Sequence, residues 1–380
     1  MNRNIAKMAA VSFLQGLVFY GPIATLYRLD RGISMSDIFL LQIVFSLVST
    51  GLEIPWGWVA DRIGYKKTLF ISNALFLASK VAFFFAGGFF LFAMEAVLSA
   101  MAITGLSGCD SAFIYLSSGE NDSGRNFGIY SAASTAGFVI ASFAGGFMAA
   151  YSYSLNSFMT VVSYFAAMLL TCSLHDVRGG EGGKEPVKLS DMPAIFADRP
   201  TFVRVLAYCL VGQAGQALVF LNQPRFIGIG IDTQGIGMIA ALTQMICLMS
   251  VKSYDIAKRM GETAFLTVTG AIVSAGFAVF AYSGSIPAVV LSYVFINASV
   301  AFQWPVLEVI KNRAVRIDNR ATVLSVYSLL YSVVGIALNL TLSQLALLSP
   351  AYSFILLAVL ASIGSVTYLA AGTGLSVSQE

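Results

Sequence analysis

Charge is what this sequence lacks. Asp, Glu, Lys and Arg make up 11% of its 380 residues, against roughly 25% in a soluble domain. Hydrophobic residues make up 57%, and mean hydropathy is +0.80. Polar surface is too scarce to cover a water-soluble globule, so lipid must be the solvent. The net charge of +3 is too small for a nucleic-acid binder. There is one histidine, His175, which excludes a His-rich metal site and leaves one possible base for a Ser-His-Asp triad. The four cysteines, Cys109, Cys172, Cys209 and Cys247, lie in apolar stretches and form no C-x-x-C pair. They read as small buried hydrophobes, not as disulfides or zinc ligands. No cofactor or metal is expected, and no enzyme activity.

What is present in quantity is apolar runs of span length. A membrane helix needs roughly 20 apolar residues. The chain divides into twelve such spans, near 8–27, 37–59, 68–87, 89–115, 127–150, 155–174, 201–221, 235–252, 263–283, 286–308, 321–344 and 350–371. The expected fold class is an all-α polytopic membrane protein with two pseudo-symmetric six-helix bundles. The basic residues set the orientation. Of 22 Lys and Arg, Arg28, Arg31 and Arg225 fall on one side and Lys80 within span 3; the other 18 share the N-terminal tail and the even-numbered loops. Both termini are therefore expected in the cytoplasm, with the protein in the cell (inner) membrane. The longest loop is charged and glycine-rich. It is not a phosphate loop: in Gly179-Gly180-Glu181-Gly182-Gly183-Lys184 the spacing is one residue short and Glu185 replaces Ser/Thr. It reads as a flexible linker. The expected domains are 1–174, a cytoplasmic linker 175–200, and 201–380.

The two halves resemble each other. Gln15-Gly-Leu-Val-Phe19 matches Gln216-Ala-Leu-Val-Phe220. Ala60, Arg62 and Gly64 match Ala257, Arg259 and Gly261 at an offset of 197, and Tyr130-Ser131 matches Tyr327-Ser328 at the same offset. Such a six-plus-six repeat is a transporter signature, with the substrate expected near the midplane between the repeats.

The most specific segment is Glu53-Ile-Pro55-Trp-Gly57-Trp-Val-Ala-Asp61-Arg62-Ile-Gly64-Tyr65-Lys66-Lys67. It resembles the loop signature of the major facilitator superfamily, G-x-x-x-D-R-x-G-R-R/K, with Tyr65 where that family usually has Arg. The resemblance implies a cytoplasmic gate of Gly57, Asp61, Arg62, Gly64, Lys66 and Asp110. In it Asp61 would accept from N–H groups at the start of span 11, near Arg320-Ala-Thr-Val-Leu-Ser325. The basic residues would pair with Asp110 on span 4. Gly57 and Gly64 would allow close helix contact and a tight turn. Exporters of the family often carry G-x-x-x-G-P-x-x-G-G in span 5. Here Gly137-x-x-x-Ala141-Ser142-x-x-Gly145-Gly146 keeps the spacing and loses the Gly-Pro. Its glycines fit either that role or simple helix contact.

Ionisable groups inside a span are expensive and each needs a reason. Lys80 is expected to snorkel outward. The proton-coupling candidates are Glu95, Glu53 and Glu308. Glu95 and Asp110 fall on one stripe of span 4 if that helix is continuous. Glu95 suits a proton site or a cationic substrate, or else pairs with Lys80 or Arg28. Span 10 carries Tyr293, Asn297, Trp304 and Glu308 on a common face. With Gln15, Gln213, Gln216, Gln244 and Tyr331 they are the cavity candidates, an aromatic and amide-rich set.

The function expected is secondary active transport of a small amphipathic or weakly cationic molecule by alternating access, as proton-coupled export. Two alternatives are proton-coupled uptake of a nutrient or metabolite and, more remotely, a non-transporting membrane sensor. Expected partners are the substrate, protons and the lipid bilayer. No nucleic acid is expected, and the resemblance implies a monomer.

Overall fold

A computed structural model describes residues 3–118, 123–177, 199–314 and 320–373. The side chains of Ile54, Asp61, Ala314, 320–325 and 372–373 fall outside the description. Most of the glycine-rich linker, the Asp61 side chain and the side chains at the start of span 11 therefore lie outside the described residues.

Every regular element among the described residues is helical. Among the described residues, twelve helical runs are long and apolar enough to cross a membrane. Spans 1–6 are Arg3–Asp30, Met35–Glu53, Tyr65–Phe85, Phe89–Ser117, Ser123–Ala149 and Tyr153–Cys172. Spans 7–12 are Arg199–Gly228, Thr233–Met260, Glu262–Tyr282, Ile286–Arg313, Val326–Leu348 and Pro350–Ala371.

Three spans are not the single α-helices their hydropathy predicts; span 8 is α-helical over Thr233–Cys247, 3-10 over Leu248–Lys252 and α-helical again over Ser253–Met260. Span 1 is helical over Arg3–Gly16, opens at Leu17–Tyr20, makes a 3-10 turn over Gly21–Ile23 and resumes at Ala24–Asp30. Gly16 and Gly21 are weak helix formers, and Pro22 has no N–H to donate. Carbonyls left without helical partners would be costly in lipid, and span 6 supplies donors. Tyr164 Oη donates to Gln15 O at 2.9 Å, Ser163 Oγ to Leu17 O at 3.0 Å, and Asn156 Nδ2 to Phe19 O at 2.9 Å. Span 4 breaks between Phe89–Leu106 and Cys109–Ser117, where Gly108 takes φ 81° in the left-handed region. Glu95 and Asp110 therefore do not share one helical stripe, a correction to the sequence arithmetic. Span 2, by contrast, begins at a Ser34–Asp37 capping box and its helix runs on through Pro55 to Ile63.

The chain forms two compact units, Met1–Lys184 with Asp232–Leu242, and Glu185–Ile231 with Thr243–Glu380. In the first, spans 1 and 5 meet backbone to backbone. A Cβ at Gly16 would strike Ser134 O, one at Gly137 would strike Phe13 O, and one at Gly145 would strike Phe19 O. Gly146 meets Gly237 in the same way, its missing Cβ 2.9 Å from the Gly237 Cα. The span 5 glycines thus serve close helix contact. In the second unit, spans 9 and 12 are joined by Ser365 Oγ donating to Thr267 O at 2.7 Å and Ser274 Oγ to Ala358 O at 2.9 Å.

The sequence repeat has a structural counterpart. Gly64 ends span 2's helix with φ 85° and opens the next; Gly261, 197 residues on, does the same with φ 89° between Met260 and Glu262. The far end of the following helix is also held alike. Tyr27 Oη donates to Phe84 O at 3.0 Å. Arg225 Nε donates to Phe280 O at 2.9 Å and its Nη2 to Ser283 O at 2.6 Å. A hydroxyl in one half and a guanidinium in the other satisfy carbonyls that a helix terminus leaves free.

Candidate functional site

Among the described residues, the only fully buried charged side chains are Lys80 and Glu95, at 7% and 5% exposure. Both lie in the first unit, on either side of the aromatic cluster of Tyr20, Tyr27, Phe83 and Phe92. The break in span 1 builds this cluster. It presents Tyr20 flat against Phe83, ring centroids 4.0 Å apart, and the resumed helix adds Tyr27 at 4.8 Å. Phe92 of span 4 meets Phe83 edge-on.

Glu95 is fully engaged. Its Oε2 lies 3.4 Å from Arg28 Nη2, and its Oε1 accepts from Ser99 Oγ at 2.9 Å, one helical turn away. The Arg28 guanidinium also lies 5.3 Å from the Phe83 ring and 5.8 Å from that of Phe92. This is a charge pair inside an apolar wall, where opposite charges attract far more strongly than in water. Removing one partner would strand the other. Sequence reading placed Arg28 in an outer loop. The Gly21-Pro22 dipeptide inside a hydrophobic span was the signal that the chain turns there.

Lys80 does not snorkel, contrary to expectation. Its Nζ sits 5.7 Å from the ring of Tyr20, 5.5 Å from that of Phe76 and 5.3 Å from that of Tyr164. Below it, Gln15 Nε2 donates to Asn73 Oδ1 at 2.8 Å, and Asn73 Nδ2 to Leu69 O at 2.8 Å. Gln15 is thus half-buried and tied to span 3.

In the second unit the polar candidates divide. Tyr208 links several of them, stacking on Tyr331 at 5.7 Å and lying 5.9 Å from Trp304. Trp304 is 50% exposed, and its ring carries Lys311 Nζ at 5.0 Å. Lys311 also bonds Glu308 Oε1 at 2.6 Å, so Glu308 is a paired carboxylate on the same helix. Tyr293 stands apart, edge-on to Phe226, and Asn297 spends its amide on Tyr293 O at 2.8 Å. Gln213 is buried, donating to Tyr331 O at 2.8 Å against Gly335, where a Cβ would lie 2.6 Å from its Nε2. Gln216 is exposed and Gln244 half-buried. A buried chain that sequence reading missed runs from Tyr368 Oη to Gln303 Oε1 at 3.1 Å and from Gln303 Nε2 to Thr269 Oγ1 at 3.0 Å.

The expected gate pairs are not formed among the described residues. Asp110 accepts from Tyr130 Oη at 3.2 Å and from the Ser111 N–H at 2.6 Å, not from a basic side chain. The helix break at Gly108 re-aims it. Arg62 lies 3.8 Å over the Trp58 ring, one turn back on its own helix. Glu53 is exposed and Lys66 half-buried, and neither joins an ion pair among the described residues. Gly57 faces open space, with nothing within 4 Å of an added Cβ, so it provides no close contact. Gly64 does make the tight turn. In the second half Arg313 bonds Glu262 at 2.8 Å and also reaches Tyr254 Oη.

A twelve-helix membrane fold with a two-fold repeat, broken spans and buried charge defines a transporter. The sequence profile of the Major Facilitator Superfamily matches residues 8–338, and the chain belongs to that family. Family and fold are those of transporters, not enzymes. Over 181 residues the chain is 26% identical to the quinolone resistance protein NorA of Staphylococcus aureus strain MRSA252, and the match covers 47% of each protein. The NorA proteins of strains Mu50 and N315 match at 27% over the same length. The chain thus matches about half the length of these relatives. Among solved structures, a mutant of the nucleoside transporter NupG superposes with a TM-score of 0.83 at 14% identity, covering 97% of this chain and 100% of that one. A bacterial homolog of the human lysosomal transporter Spinster superposes at 0.78 and 14% identity, covering 97% and 96%. At such identities these two likenesses show the fold alone.

Proposed function

We propose that the protein is a proton-coupled exporter of small amphipathic molecules, working by alternating access in the cell membrane with both termini in the cytoplasm. The observation that carries this reading is Glu95. It is the one carboxylate among the fully buried described residues, and its only ion-pair partner among the described residues is Arg28. Arginine stays charged at any physiological pH. A proton on Glu95 therefore removes the attraction and leaves the guanidinium uncompensated. That couples proton occupancy to the contact between the resumed part of span 1 and span 4, so a proton can bias two conformations. Export is favoured by the likeness to NorA, a protein named for quinolone resistance. The amphipathic or weakly cationic substrate was expected from an aromatic, amide-rich set with few fixed charges, and the acidic residues that would favour a cation, Glu95 and Glu308, both have basic partners. We therefore retain the amphipathic class and not the cationic preference.

We further propose two six-helix domains, 1–174 and 201–380, joined by the linker 175–200, and a functional monomer. Uptake of a nutrient is the second reading. It is favoured by Ala141-Ser142, which stands where exporters of the family often carry Gly-Pro. The test is flux of an amphipathic dye in liposomes of known orientation with an imposed pH gradient. Expulsion from the cytoplasmic side, driven by protons moving inward, supports export. Accumulation in the opposite sense selects uptake. Flux indifferent to the gradient removes proton coupling altogether.

A further inference from the structure

Lys80 is the charge left over in the membrane interior. Glu95 has Arg28 as its partner. Lys80 joins none of the ion pairs among the described residues. Three ring faces, from Tyr20, Phe76 and Tyr164, surround it instead. Ring quadrupoles attract a cation, but each is a weak counter-charge compared with a carboxylate. A buried ammonium normally keeps an anion or loses its proton.

The rings are held by other contacts and do not depend on Lys80. Tyr20 is stacked on Phe83. Tyr164 donates its hydroxyl to Gln15 O and meets Phe76 edge-on at 5.5 Å. The amide pair of Gln15 and Asn73 lies on the same side of span 3, Asn73 being seven residues before Lys80. The result is a preorganised set of ring walls around one ammonium, with Arg28 and Glu95 spent on each other beyond Tyr20 and Phe83.

We propose that Lys80 is a binding residue for the acidic group of an aromatic substrate, a carboxylate paired with the ammonium while the ring of the same molecule lies against the Tyr20, Phe76 and Tyr164 side chains. This deepens the transport reading by naming its substrate class, and rests on it: the amphipathic molecule is an aromatic acid. The ion pair forms where water is scarce, so it discriminates strongly. The aromatic walls favour a planar ring over an alkyl chain or a phospholipid headgroup.

The test uses the purified full-length protein and three probes of one shape, naphthoate, naphthalenemethanol and naphthylmethylammonium. Equilibrium binding should rank naphthoate first, about tenfold above the alcohol, as expected for one extra charged contact. Lys80→Met should bring naphthoate down to the alcohol's affinity while alcohol binding holds within about twofold, and Lys80→Arg should restore the preference. Alcohol binding reports whether each variant is folded. If Lys80→Met does not fold, the wild-type ranking and the Lys80→Arg variant still decide. A wild type that binds the three probes equally or prefers the ammonium overturns the proposal, as does a preference that survives in Lys80→Met. The same probes in liposome flux keep the two readings apart. Gradient-driven flux without preference for the acid defeats only the substrate class. Preferential binding of the acid without gradient-driven flux defeats only proton-coupled transport.

Discussion

The Arg28 guanidinium and the Glu95 carboxylate meet 3.4 Å apart between the resumed half of span 1 and span 4, with the rings of Phe83 and Phe92 over the arginine. Their pairing requires the break in span 1, because that break sets the direction in which the helix Ala24–Asp30 leaves.

Glu95→Gln keeps the shape of the side chain and fixes the neutral state. The variant is expected to lose the dependence of flux on an imposed pH gradient by about tenfold or more, with binding of a neutral probe largely kept. Flux in liposomes beside equilibrium binding measures both. Gradient-driven flux at the wild-type rate would remove Glu95 as the coupling group and turn attention to Glu53 or Glu308.

Gly137→Ala places a methyl group against Phe13 O, and backbone cannot swing aside as a side chain does. We expect a loss of about 1–3 kcal/mol, the usual range for overfilled contacts, read as a lower thermal unfolding midpoint in detergent. Gly57→Ala is the control. Its added methyl meets nothing within 4 Å, and its midpoint should stay at or rise slightly above the wild-type value, since Ala is the better helix former.

Arg225→Leu removes two charged hydrogen bonds to Phe280 O and Ser283 O. The expected cost is about 1.5–3 kcal/mol for a charged donor. Tyr27→Phe, its counterpart in the first half, loses a neutral hydroxyl donor and should cost about 0.5–1.5 kcal/mol. Thermal unfolding of the two variants should keep that order; a larger loss for Tyr27→Phe would contradict it.

Topology is open to a direct check. A reporter active only outside the cytoplasm, fused after Glu380, should be silent, since 18 of 22 basic residues fall on the side of the N-terminal tail. A strong signal would reverse the orientation.

Features fixed by local backbone demand were legible in the sequence. Gly64 and Gly261 sit at an offset of 197, and both take a positive φ that only glycine adopts freely. The twelve spans were legible for a similar reason, because hydropathy over a window needs no partner. What depends on other spans was not. Lys80 was assigned by distance along its own helix, yet two of its three rings come from spans 1 and 6. Glu95 and Asp110 were placed on one stripe by angular arithmetic that presumes an unbroken helix, and Gly108 breaks it. The bond from Gln213 to Tyr331 O depends likewise on another span.

The glycine seam between spans 1 and 5 has a mechanical consequence. Side chains that meet across a helix pair can change rotamer and let the helices slide by small steps. At Gly16, Gly137 and Gly145 there are none to adjust, and main-chain atoms stand in direct contact. Sliding there would drive carbonyl oxygens into Cα atoms, where repulsion rises steeply. Spans 1 and 5 must therefore travel together as a stiff pair through any transport cycle. A spin label on each of these two spans should report a fixed separation while other distances change.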